Sequence, residues 1–189
     1  TFRRLGTRLQ GHPTTAEGLP GVRVASGSLG QGLSVAVGVA QAKKLANDNH
    51  LVYVLMGDGE QEEGQIWEAA MYAPAKNVDN IVAIVDYNKK QIDGPTDDVL
   101  SLGDLRAKYE SFGWKVWECN GNDMQELVDT FNKIRENAHK GQSQILLAHT
   151  EMGMGVDFMM GTHKWHGVAP NDEQAANALS QLKETLGDY

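Results

Sequence analysis

Two oxygen-bearing side chains, Asp58 and Asn88, stand thirty residues apart in the stretches MGDGEQEEGQIWEA and IVDYNKKQIDG. Each falls just past a short apolar run that reads as a strand. In open α/β sheets ligands bind outside the carboxyl ends of the strands. If the two strands are neighbours, the Asp58 carboxylate and the Asn88 amide oxygen converge there, and the turn after Asn88 exposes backbone carbonyls. Three hard oxygens with open positions suit Mg²⁺, with Ca²⁺ or Mn²⁺ as substitutes, because such a cation shares its shell with phosphate oxygens. Gly59 would let a diphosphate approach the backbone closely, and the N–H groups of Gly59 and Glu60 would point at it from a helix N-terminus. The bland alternative is a tight strand-to-helix turn plus an unrelated loop asparagine. Gly-Asp-Gly alone is weak, but the spacing, the strand context and the following Gln91-Ile92-Asp93-Gly94 favour the cation and diphosphate reading.

Histidine is the natural agent for moving protons near neutral pH. His12 lies in Gly11-His12-Pro13, and His163 and His166 lie in a Gly-rich stretch near the end. An isolated His-Pro is usually a turn, and His163 with His166 reads equally as a solvated pair. Their spacing also permits zinc, but no third or fourth ligand is in view, and Cys119 belongs to another element. His50 and His139 read as surface residues, and His149 as a satisfied structural residue. Met152, Met154, Met159 and Met160 read as flexible packing filler. Glu60 and Glu62 fit the acidic bias of a helix N-terminus.

The elements that must hold these residues alternate between short apolar runs and segments of helical period, the pattern of a parallel α/β sheet. The expected strands are Leu51 to Met56, Ile81 to Asp86, Trp114 to Cys119 and Ile145 to Ala148, buried on both faces. The expected helices are Gly30 to Asn47, Glu62 to Ala75, Met124 to His139 and Pro170 to Leu186, the last capped by Asn171. Thr150 to Ala169 reads as a long ordered loop, a kind of segment that usually carries function. The fold class is α/β, a mostly parallel sheet with helices on both faces.

The chain has 189 residues, a formal charge of -8, 41% hydrophobic residues and one cysteine. That length suits one domain, or one plus a tail, with a real core. The acidic balance argues against a nucleic-acid or anionic-membrane surface. A lone Cys119 forms no internal disulfide, which favours a reducing cytoplasm. No apolar run is long enough to span a bilayer.

The Gly57-Asp58-Gly59-Glu60 stretch with Asn88 resembles the thiamine-diphosphate motif. Its extension through Glu63-Gly64, Trp67-Glu68-Ala69 and Gln91 to Gly94 resembles the transketolase form of it. Four further stretches resemble that family in the same order: Gly11-His12-Pro13, Gly27-Ser28-Leu29-Gly30-Gln31-Gly32, Tyr109 to Val116, and Gly161 to Gly167. The resemblance implies that Asp58 and Asn88 bind Mg²⁺ by side chain and Lys90 by its carbonyl. It implies that Gly59 and Asn88 contact the diphosphate, that His166 touches the diphosphate and faces the substrate, and that His12 lines the reaction channel. Gly27, Ser28 and Leu29 would meet the aminopyrimidine, and Glu63 would be a carboxylate between two active sites. The implied activity is transfer of a two-carbon ketol unit between sugar phosphates, with thiamine diphosphate as electron sink.

The family also implies segments not seen here. An upstream Ser-Gly-His-type motif is missing and the chain opens at Thr1, so residues 1–189 are expected to be one diphosphate-binding domain lacking its N-terminal segment. The pyrimidine-binding domain is missing too. The expectation is a split enzyme whose C-terminal subunit is a separate partner, in a hetero-oligomer with a dimeric core. Asn120 to Asp123 replaces a common Asp-Gly-His-Asp and reads as a structural turn. Ser28 stands where proline is common, which loosens that loop. Deoxyxylulose-phosphate synthase and 2-oxo acid dehydrogenase E1 components resemble the Asp58–Asn88 element alone, and a non-catalytic docking paralogue is the alternative from another class.

Overall fold

A computed structural model describes residues 4–12, 14–24 and 27–183. Four parallel strands form the main sheet: β1 (Val52–Gly57), β2 (Ile81–Tyr87), β5 (Lys115–Asn120) and β6 (Gln144–His149), in the order β1-β2-β6-β5. Between β2 and β5 lie a small hairpin, β3 (Lys90–Gln91) with β4 (Gly94–Pro95), and two short helices, α3 (Thr96–Leu100) and α4 (Leu105–Phe112). The other helices are α1 (Gln31–Leu45), α2 (Gly64–Ala75), α5 (Met124–Glu136) and α6 (Asp172–Gln181).

Sequence dictates the layering. α2 presents Ile66, Ala69, Ala70 and Ala73, a stripe at helical spacing, and all four are buried. With Leu33, Ala36, Val37 and Ala40 of α1 and Leu105 and Tyr109 of α4, it covers one sheet face. The small alanines let helix and sheet approach closely. Pro74 sits in the last turn of α2 and has no N–H to give the Ala70 carbonyl; the Trp114 indole N–H donates to that carbonyl at 2.7 Å. On the opposite face α5 packs Ile134, with Leu127 and Phe131 beside it, against Val82, Leu146 and Cys119.

The expected strands and helices are present, with ends shifted by a residue or more. Two expectations need correction. β1 and β5 are not buried on both faces: they are the sheet's two edges, with Tyr53 at 49% and Leu55 at 72% exposure in β1 and Glu118 exposed in β5. The Phe131 ring of α5 meets the Tyr53 ring edge-on, 6.3 Å between centroids. Nor do all four methionines pack as filler: Met154 and Met160 are exposed and Met152 lines a cleft, while Met159 is half-buried against Gly153. Asn171 caps α6 as expected, accepting from Gln174 N–H at 2.8 Å in a capping box. The expected end of that helix at Leu186 lies outside the described residues.

Candidate functional site

β1 and β2 pair in parallel with Gly57 opposite Asp86, so Asp58 and Asn88 do leave neighbouring strands at the same edge. Between Asp58 and α2 the chain makes one 3-10 turn, Gly59–Glu62, in place of the expected helix start. A buried strut fixes this turn: Tyr109 hydroxyl donates to Gln61 Oε1 at 2.6 Å, and Gln61 Nε2 donates to the Gly57 carbonyl at 3.0 Å.

Asp58 is 1% exposed. Its Oδ1 accepts from Gly59 N–H at 2.8 Å, and its Oδ2 accepts from Lys89 N–H. The second bond ties the Asp58 turn to the turn after Asn88. There Lys89 adopts φ 61°, and Asn88 Oδ1 accepts from Lys90 N–H at 2.8 Å, a local asparagine turn. Burial pushes the Asp58 carboxyl above its ordinary range; the Lys89 and Gly59 N–H groups oppose that, and nearby Asp86 adds to it. No Lys, Arg or His side chain pairs with Asp58 among the described residues. A buried carboxylate whose lone pairs are half used and whose charge lacks a cation is a fit for a bound divalent cation.

A cleft of about 530 Å³ opens beside these turns, lined by Asn88, Asp86, His166, Asn122, Glu151 and Met152 among others. Its floor is the uncovered face of β1 and β2, where Leu55 and Ile84 sit. The structure therefore brings His166, from the far end of the chain, to the strand ends that carry Asn88. His149 is engaged elsewhere, with Nε2 3.1 Å from Glu118 Oε2 and its ring against Tyr87.

The remaining predicted residues form a second group, on the other side of the Asp58 turn. Gly27 faces the His12 imidazole so closely that a Cβ would lie 3.0 Å from its Cδ2. Pro13, next to His12, lies outside the described residues. Ser28 and Leu29 are exposed. The Leu29 carbonyl accepts from Gln65 Nε2 at 3.1 Å, and a Cβ on Gly30 would meet Glu63 Cβ at 2.9 Å. Glu60 joins the groups: its carboxylate accepts from Gly30 N–H at 2.7 Å and Gly57 N–H at 3.1 Å. This side-chain clasp was not anticipated. Nor was the neighbour of Gly59, where an added Cβ would lie 2.9 Å from Gln91 Oε1. His12 and Glu63 do not line the cleft.

Over residues 1–187 the sequence matches the family described as transketolase, thiamine diphosphate binding domain. The chain belongs to that family. It is 44% identical over 186 residues to an apulose-4-phosphate transketolase subunit of Phocaeicola vulgatus, covering 98% of this chain and 65% of the relative. It is 36% identical over 184 residues to a 6-deoxy-6-sulfo-D-fructose transketolase subunit of a Clostridium species, covering 97% of this chain and 66% of the relative. Among solved structures it is similar to the transketolase of Campylobacter jejuni, with a TM-score of 0.84 and 31% identity over 95% of this chain and 29% of that one. The chain thus spans about two thirds of these curated relatives, and under a third of the solved transketolase. The transketolase fold is the α/β fold read from the sequence.

Three residues lining the cleft escaped the sequence reading. Asp86 accepts from Thr150 hydroxyl through one oxygen and from Asn88 Nδ2, at 3.2 Å, through the other. Its signal was available: a charge inside the apolar run IVAIVDY. Asn122, read as part of a plain turn, lines the cleft and accepts from Glu151 N–H at 2.7 Å. Glu151 had no signal of spacing or motif.

Proposed function

We propose that this chain supplies the Mg²⁺–diphosphate half of a thiamine-diphosphate site. Completed by a C-terminal subunit with the pyrimidine-binding domain, it transfers a two-carbon ketol unit from a ketose phosphate to an aldose phosphate. The observation that carries this reading is Asp58, a buried carboxylate with no cationic partner among the described residues, bonded through Lys89 N–H to the turn that presents Asn88.

In this reading Asp58 and Asn88 side-chain oxygens and the Lys90 carbonyl hold the cation. Asp86 fixes which way the Asn88 amide faces by accepting from its Nδ2. Gly59, Glu60 and Asn88 border the diphosphate, while Gly27, Ser28 and Leu29 border the aminopyrimidine. When bound, the cofactor supplies the carbanion and electron sink that cleave and rebuild the ketose carbon–carbon bond. His166 donates a hydrogen bond to the diphosphate and moves a proton at a sugar oxygen; His12 does the second from the opposite group. Glu63 would be the carboxylate at the interface between two active sites. Val35 and Val39, one turn apart on α1, and Met71 and Tyr72 on α2 are exposed apolar residues beside a groove of about 300 Å³, a surface that supports assembly with further subunits. We place the enzyme in the cytoplasm and its chemistry in pentose phosphate metabolism.

The test is calorimetric titration of thiamine diphosphate with Mg²⁺ into the chain assembled with its partner, beside Asp58→Ala. Saturable binding that needs Mg²⁺ and is lost in Asp58→Ala is expected. A donor panel then separates pyruvate from ketose phosphates, and includes apulose 4-phosphate and 6-deoxy-6-sulfo-D-fructose because relatives are named for them. Absence of binding in an intact complex would leave the chain a docking module.

A further inference from the structure

The segment between β6 and α6 carries His166 but contains no helix or strand. It must nevertheless hold an imidazole at one place in the cleft. Part of its order is internal: Trp165 Nε1 donates to the Phe158 carbonyl at 2.9 Å, with the two rings 5.4 Å apart. Part comes from α6, where Gln181 Nε2 donates to Asp157 Oδ1 at 2.7 Å. Neither ties it to the cation turn.

Glu151 does. Its Oε1 accepts from Lys90 Nζ at 2.9 Å and from Gly161 N–H at 2.7 Å. Thr150 hydroxyl bonds Asp86 at the end of β2, whereas the Lys90–Glu151 bond links the segment to the turn 88–91 itself. The Glu151 N–H donates in turn to Asn122 Oδ1. One residue therefore joins the cation turn, the turn after β5 and the stretch leading into His166. The Lys90 side chain is 14% exposed and that of Glu151 37%, so the pair is shielded more than an ordinary surface ion pair. Lys90 is also the residue whose carbonyl is proposed above to hold the cation. Its side chain and its backbone thus hold two parts of one site.

We propose that Glu151 is a positioning residue: by bonding Lys90 Nζ and Gly161 N–H together, it sets His166 against the cation turn and links the order of that segment to cofactor binding. This rests on the reading of Asp58, Asn88 and His166 given above. A displacement of about 1 Å in a group that contacts reacting atoms costs on the order of a hundredfold in rate, so a single misplaced anchor is measurable.

The experiment uses the assembled enzyme as wild type, E151A, E151Q, H166A and E151A/H166A. It reads thiamine diphosphate affinity at saturating Mg²⁺, kcat/KM for a ketose phosphate, and tryptic cleavage after Lys164. E151A is expected to lose about tenfold in kcat/KM and to be cut several-fold faster after Lys164, because an unheld segment samples other positions. E151Q, which keeps an acceptor for Gly161 N–H, falls between it and wild type, and carries the test if E151A assembles poorly. In the H166A background the E151A change costs less than about twofold, since residues that act through one another are not additive. Equal losses in both backgrounds, or wild-type behaviour of E151A, overturn the proposal while the cofactor reading stands. A wild-type complex that fails to bind thiamine diphosphate overturns both.

Discussion

Asp79 and Asp58 are carboxylates shielded at opposite ends of the same sheet, and they are compensated differently. Burial raises the Asp79 carboxyl, but donation from Lys44 Nζ at 2.7 Å and Gly141 N–H at 3.0 Å more than offsets it, so the group ends below its ordinary value. A lowered folded pKa means that the contribution is present above the unfolded value and is lost as pH falls through the folded one. Asp79→Asn should therefore cost about 1 kcal/mol at neutral pH. The gap should close in acid, which urea unfolding at neutral and at strongly acidic pH will show. Asp58 has no such cation among the described residues, and that difference supports the proposal that it is a ligand rather than a scaffold residue. The proposed site was legible in outline because Asp58, Asn88 and His166 sit in motifs, and the fold brings them to neighbouring strand ends. Asp86 and Glu151 were not, because their partners are Thr150 and Lys90, far off in sequence and joined only by the fold.

Among the elements, the long ones were legible. α2 and α5 carry apolar stripes at helical spacing, and β2 and β6 are continuous apolar runs. The missed elements are those too short to show a period: two-residue strands β3 and β4, and five-residue α3. α4 buries only Leu105 and Tyr109 of its eight residues, a stripe of two. The edge position of β1 was hidden for another reason, since strand order is set by crossovers and leaves no mark in a run of apolar residues. α5 stands out as the helix that packs its sheet face, and Asp123 caps it by accepting from Gln125 and Glu126 N–H groups at 2.8 and 3.0 Å. Asp123→Ala should cost about 1 kcal/mol in urea unfolding. The loss should appear as faster hydrogen exchange in α5 before it appears in α2.

For the whole molecule, the sheet has one thick and one thin side. Three helices cover the first, and α5 with the cleft shares the second. Leu146, fully buried under α5, and Leu55, exposed on the cleft floor, are the same residue type on the same face. Leu146→Ala should lower stability by roughly 2–5 kcal/mol and Leu55→Ala by less than about 0.5, measured as shifts in urea midpoint. A large loss at Leu55 would mean that the cleft floor serves as core.

The strand order β1-β2-β6-β5 also governs the order in which the chain can be built. β1, α2 and β2 are contiguous in sequence and adjacent in space, so the Asp58 and Asn88 turns can meet early during synthesis, through local contacts. β5 emerges next with no neighbour to pair, because the strand that lies between it and β2 has yet to be made. Only when β6 slots into that gap does the sheet become continuous, and the stretch that follows it brings Glu151 and His166. On the ribosome, the Asp58 and Asn88 turns wait half-framed until the strand that closes the sheet brings in the stretch with Glu151 and His166.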